Sequence, residues 1–132
     1  MRLTAFVMLI GGLASPLAAQ DILGPEAFER YTTGKTLTYS TEGMVYGAEQ
    51  YLPNRRVIWA FVGKPCKYGT WYPRDEEICF VYDTDPDAHC WTFFQTGSGL
   101  RAQFSGDPPG AALVELAQST DPLVCPGPDV GV

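Results

Sequence analysis

The chain has 132 residues, 18% of them charged and 13% aromatic, and a formal net charge of −6 at pH 7. That length is one domain's worth, and the acidic balance argues against nucleic acid and anionic membrane surfaces as partners. The fold class expected is all-β, with one short helix in front of the strands.

Arg2 precedes the apolar run Leu3–Leu13, and Ser15-Pro16-Leu17-Ala18-Ala19 supplies small residues for a cut after Ala19. This is the pattern of a signal peptide over 1–19, leaving a single exported domain over 20–132. The apolar run is short for a bilayer span and no second one follows, so no transmembrane anchor is expected. Once Arg2 is removed, eight basic residues face fifteen acidic ones.

Gly24-Pro25-Glu26 opens a helix of about 25–33: proline suits the first helical position and glutamate the positive end of the dipole. Phe28 and Tyr31 share one face, which should lie against the mouth or side of a sheet, and Gly34 ends the helix. From Thr36 to Gln118 the chain is extended. Leu37 and Tyr39 alternate with polar residues, Glu42-Gly43 leads into Met44–Leu52, and Pro53-Asn54 turns again. Val57, Trp59 and Phe61 alternate with Ile58, Ala60 and Val62, so both faces of that strand are apolar and covered. Shorter strands at Gly69–Pro73, Ile78–Tyr82, His89–Gln95 and Leu100–Ser105 follow, the middle two joined by an acidic loop. After the loop Gly106-Asp107-Pro108-Pro109-Gly110, Ala111–Gln118 is either helical or a last strand, and its length and neighbours favour the strand. Residues 119–132 form an irregular tail. Eight closely spaced strands in sequence predict an antiparallel up-and-down meander closed into a small barrel, filled by side chains or holding one small ligand.

Cys66, Cys79, Cys90 and Cys125 are even in number, which in an exported domain of this size means two disulfides. A hairpin centred between Thr84 and Asp85 sets Cys79 against Cys90 and Ile78 against Trp91, leaving Cys66 for Cys125. Three pairings nonetheless remain open from sequence. A Cys/His metal site is not expected: no two cysteines have Cys-x2-Cys spacing, and His89 and Cys90 point to opposite faces of a strand. Asp83-Thr84-Asp85-Pro86-Asp87 resembles the start of a calcium loop, but Ala88 and Phe94 stand where glycine and the bidentate glutamate are needed. Neither a metal nor another cofactor is predicted.

Trp59, Trp71 and Trp91 are the candidate lining of a pocket for an apolar molecule, weighed against the plainer role of filling the core. Catalysis would have to use His89, the only histidine, and no motif supplies nucleophile, base and orienter together. An enzyme would need a cleft in which His89 meets a carboxylate.

The runs Cys66-Lys67-Tyr68-Gly69-Thr70-Trp71-Tyr72-Pro73, Ile78-Cys79-Phe80-Val81-Tyr82 and Cys90-Trp91, with Cys125 and the tail Gly127–Val132, resemble an uncharacterised family of small exported alphaproteobacterial proteins. The likeness covers nearly all of 20–132 and implies a Gram-negative periplasmic location. A fainter resemblance, carried by Ser98-Gly99-Leu100-Arg101, is to periplasmic lysozyme inhibitors, whose Ser-Gly-x-x-Tyr loop enters the enzyme's cleft. Here Ala102 replaces the tyrosine. The sequence thus predicts a non-catalytic periplasmic barrel that binds a small apolar ligand or an envelope protein partner.

Overall fold

A computed structural model of the chain describes residues 21–106 and 112–126. The predicted signal peptide, most of the Gly106–Gly110 loop and the tail from 127 lie outside the described residues. The elements run α1 (Pro25–Thr32), β1 (Thr36–Thr41), β2 (Met44–Leu52), β3 (Arg56–Phe61), β4 (Lys67–Arg74), β5 (Glu77–Tyr82), β6 (Asp85–Thr96), β7 (Gly99–Phe104) and β8 (Ala112–Ser119). Each strand pairs antiparallel with the next, and β8 returns to β1, so the sheet is a closed barrel. The segment that also had helical character is therefore, from Ala112 onward, the closing strand.

Alternation sorts the side chains. Leu37 and Tyr39 on β1, Val57 and Trp59 on β3, Ile78 and Phe80 on β5, and Leu100 and Ala102 on β7 are buried, while intervening residues face outward or the tail. The barrel's lower end is where β2 runs into β3 and β6 into β7. Helix α1 closes it. Leu23 N–H donates to Phe93 O on β6, and Gly34 N–H donates to Tyr51 O on β2, both at 2.8 Å. The helix is thereby strapped across that end between two strands. Gly34 has φ +86°, a left-handed geometry that ends a helix at little cost only with glycine. Phe28, fully buried, projects into the barrel among the rings of Tyr51, Trp71, Phe80 and Phe93.

Tyr31, on the same face one turn further on, also fixes the helix. Its hydroxyl donates to Glu115 on β8, and burial together with that carboxylate pushes the phenol up to about 12. Glu115 also accepts the Leu100 N–H at 2.8 Å and the Gln118 amide at 3.2 Å, so a buried carboxylate is satisfied by three donors.

The disulfides are Cys66–Cys125 and Cys79–Cys90. They point to an oxidising, extracellular-type compartment. The β5–β6 register sets Cys79 opposite Cys90 and Ile78 opposite Trp91, the expected partners. The turn, however, is centred between Asp83 and Thr84, and a bulge restores the register expected of a hairpin centred between Thr84 and Asp85. One expectation fails here. The acidic stretch was expected to be a loop, but β6 already begins at Asp85, and only Asp83 and Thr84 turn. Tyr82 pairs with Asp85 and Phe80 with His89, so one residue of β5 faces three of β6 in a bulge. Among the described residues no helix is long and apolar enough to cross a membrane.

Beyond β8 the chain crosses the outer face of the barrel diagonally. Thr36 Oγ1 donates to Asp121 O (2.7 Å), Leu123 N–H donates to Gln50 Oε1 (3.0 Å), and Cys125 reaches the β3–β4 connection at Cys66. Thr38, Ala48 and Ala60 are register neighbours on β1, β2 and β3, and their small side chains form the shallow track beneath Leu123 and Val124.

Candidate functional site

The upper half of the barrel is hollow, with a cavity of about 310 Å³ lined by side chains from all eight strands. Its floor is formed by Tyr51, Phe80 and Phe93, whose other edges contact Phe28 of the helical plug. Trp59 stands as one wall. Its ring lies over Gly47, where a Cβ would come within 2.6 Å of it, so the missing side chain on β2 makes room for the indole. Trp91 forms part of the opposite wall and meets Phe104 with ring centroids 5.0 Å apart. Tyr46, Phe61, Lys67, Asp85 and His89 are partly exposed, and they ring the mouth at the end remote from α1.

Of the three tryptophans singled out from sequence, Trp59 and Trp91 line this cavity. Trp71 does not. It is buried at the helix end, edge-on to Phe28 with centroids 5.2 Å apart, under the Arg55 guanidinium at 4.7 Å.

The residue that sequence reasoning passed over is Glu49. It sits on the inner face of β2, between Leu37 on β1 and Trp59 on β3, and is 2% exposed. Both its carboxyl oxygens lie within reach of one donor, the Tyr82 hydroxyl, at 3.0 and 3.1 Å. Nearby the Tyr39 and Tyr51 hydroxyls share a hydrogen bond of 2.8 Å. The signal was the pair Glu49-Gln50: in a strand, neighbours point to opposite faces, so one of two adjacent polar residues must point inward.

Burial pushes the Glu49 carboxyl well above its ordinary 4.5, with the Tyr82 hydrogen bond pulling the other way. The folded form therefore holds the proton more tightly than the unfolded chain. The stability this confers is whole below pH 4.5 and is lost as pH rises through the raised folded-state value. The thermal midpoint of the wild type should accordingly fall as pH rises above 4.5. Glu49→Gln, which carries no charge at any pH, should flatten that fall and melt higher than wild type at the upper end. Parallel melting curves across pH for the two proteins would show that Glu49 is solvated.

At the rim the β6 bulge brings His89 Nε2 within 2.8 Å of Asp85 Oδ2, while Asp85 Oδ1 accepts the Asp87 N–H at 2.9 Å. The Asp87 N–H and then His89 hold the Asp85 carboxyl below the usual carboxylate range. The predicted condition for an enzyme, His89 meeting a carboxylate in a cleft, is thus met as a pair. Among the described residues the cavity lining offers no serine, threonine or cysteine beside it. In the stretch that resembles a calcium loop, two carboxylates are engaged locally: Asp83 Oδ1 accepts the Tyr68 N–H (3.3 Å), and Asp85 accepts the Asp87 N–H and meets His89. The described group Glu77, Cys79 and Cys90 has metal-ligand spacing, but both its sulfurs are tied in a disulfide.

The loop expected to act in lysozyme inhibition is a tight hairpin turn. Thr96 pairs with Gly99, leaving only Gly97 and Ser98 beyond the strands, and Thr96 Oγ1 donates to Gly99 O at 2.9 Å. Gly99, at φ +129°, is pressed against the Glu115 side chain. No protein-family model, curated protein or solved structure matches the chain. The resemblances drawn above rest on their motif residues alone.

Proposed function

We propose that this is a periplasmic, non-catalytic binding barrel that takes up a small, ring-bearing apolar molecule through the mouth opposite α1. The observation that carries the reading is the aromatic cavity of about 310 Å³ in a barrel small enough to have been filled by its own side chains. That volume stands at the lower end of the range of about 300–1,000 Å³ for ligand pockets, which fits a one- or two-ring molecule better than a long acyl chain. Signal-peptide pattern and disulfides together support export to an oxidising envelope compartment. A protein partner has less to hold: among the described residues the closed barrel offers no edge strand for strand addition. The His89–Asp85 pair gives an enzyme a base on the rim, but among the described residues no serine, threonine or cysteine nucleophile lines the cavity beside it.

Indole is a suitable probe. Its titration should change the intrinsic tryptophan emission and give a saturable calorimetric signal. Ala102 lines the cavity and is buried, so Ala102→Leu should fill the space and weaken indole binding about tenfold or more, about 1.4 kcal/mol. Unchanged affinity in a folded Ala102→Leu protein would place indole elsewhere and remove the cavity as the site.

A further inference from the structure

We propose that the ligand is a small organic ammonium ion, with its ring or alkyl body against the cavity walls and its nitrogen on Glu49. The inference deepens the binding-barrel reading and rests on it.

A buried carboxylate is a costly group unless it is paired and hydrogen-bonded. An ionised carboxylate can accept about four hydrogen bonds, and Glu49 receives one hydroxyl, shared between its two oxygens. The ion pairs among the described residues are Arg55–Glu29, Arg74–Glu77 and His89–Asp85, so none of the described cations lies within 4.0 Å of Glu49. What borders it instead is the cavity, walled by the rings of Tyr39, Tyr51, Trp59, Phe80 and Tyr82. Aromatic faces attract cations, most strongly where water is excluded, and a carboxylate at the back of such a cage completes an ammonium site. An N–H₃⁺ group brings up to three donors to the acceptor sites that Tyr82 leaves unused. The chain's net charge of −6 draws cations toward the mouth, and Lys67 at the rim is countered by the nearby Asp85.

Ammonium binding is then linked to a proton. The empty barrel holds Glu49 protonated at mildly acidic pH, because burial disfavours its charged form. Arrival of R–NH₃⁺ favours the carboxylate, so Glu49–COOH gives its proton to solvent and the ion pair R–NH₃⁺···⁻OOC–Glu49 remains. Affinity should rise with pH until Glu49 is ionised in the empty protein. The other titratable groups facing the cavity are Tyr82, Tyr39 and Tyr51, all raised by burial, and Tyr46, Lys67, Asp85 and His89 at the rim. His89→Gln separates the rim pair from Glu49: it should keep the pH dependence that Glu49→Gln abolishes.

The test compares 2-phenylethylamine with its neutral near-isostere 2-phenylethanol by calorimetry, with indole alongside. Wild type should bind the amine at least tenfold more tightly than the alcohol. Glu49→Gln should erase that preference while leaving alcohol and indole affinities within about threefold. Should Glu49→Gln not fold, His89→Gln decides: at pH 5.5, titrations in two buffers of different ionisation enthalpy should show proton release on amine binding and none for the alcohol. Equal affinity for amine and alcohol overturns the ammonium inference but leaves the cavity reading standing if both bind. A preference that survives Glu49→Gln, or that comes without proton release, assigns it to the rim and also overturns it. Failure of amine, alcohol and indole alike removes both readings.

Discussion

Phe28→Ala should lower the stability of the protein by about 3–5 kcal/mol, the range for deleting a fully buried phenylalanine. Against the roughly 5–15 kcal/mol that hold a typical domain together, this is a third or more of the whole. The cost has two sources. Phe28 makes ring contacts with Tyr51, Trp71, Phe80 and Phe93 at centroid distances of 5.7, 5.2, 6.4 and 4.5 Å, and alanine forfeits all of them. Helix α1 has eight residues, too few to be helical in isolation, so its order depends on the docking that Phe28 provides. Urea unfolding followed by circular dichroism measures the loss. The void left by the ring adjoins the cavity floor, since Tyr51, Phe80 and Phe93 contact both. Benzene should therefore restore part of the stability of Phe28→Ala and little to wild type, because an apolar void binds such a ligand in place of the missing ring. A loss below about 1 kcal/mol, without benzene rescue, would mean that the helix rests on the barrel without plugging it.

Phe28 also marks the boundary of what the sequence makes legible. Its three-residue spacing from Tyr31 identified the helix face, but not that one ring would enter the barrel while the other hydrogen-bonds to Glu115. Strand order and antiparallel pairing follow from period-two alternation and the order of the turns, which are local properties, whereas the Cys79–Cys90 register also needs the β5–β6 bulge. Height along the barrel is not local. Trp59, Trp71 and Trp91 all stand on inward faces, and the stagger between strands decides which of them face the cavity and which meets the helix. That stagger depends on features such as the β5–β6 bulge, which composition hides: Asp85-Pro86-Asp87 has the residues of a turn and lies within β6. The bulge sets His89 beside Asp85, a juxtaposition no linear spacing displays. Glu49 was legible in principle, since Glu49-Gln50 interrupts an otherwise largely apolar strand. Its importance emerges only when β5 brings the Tyr82 hydroxyl to it from thirty-three residues away.

Replacing Cys66 and Cys125 together by serine should cost about 4 kcal/mol, against about 3 kcal/mol for the same change at Cys79 and Cys90, if the bridges act by restricting the unfolded chain. The difference follows from loop size, since the bridged residues are 59 and 11 apart in sequence. The folded state adds to the same ordering. Cys79–Cys90 lies within a hairpin whose register is also held by the pairs Ile78–Trp91 and Phe80–His89, so the hairpin persists without its bridge. The tail has no ladder. Between Asp121 and Cys125 it is held to the barrel by the Thr36–Asp121 and Gln50–Leu123 hydrogen bonds, and without the bridge its far end is released. The Leu123 amide should then exchange its hydrogen well before global unfolding in the Cys66→Ser/Cys125→Ser protein, while the Leu37 and Tyr39 amides of β1 stay protected to the unfolding limit. The tail crosses the outside of the barrel and the cavity lies inside it, so indole affinity should stay within about threefold of wild type. The reverse order of destabilisation would show that native-state strain, and not loop closure, sets the contribution of each bridge. Loss of indole binding along with tail protection would show that the bridge shapes the mouth through its neighbour Lys67, and that tail and cavity respond as one unit.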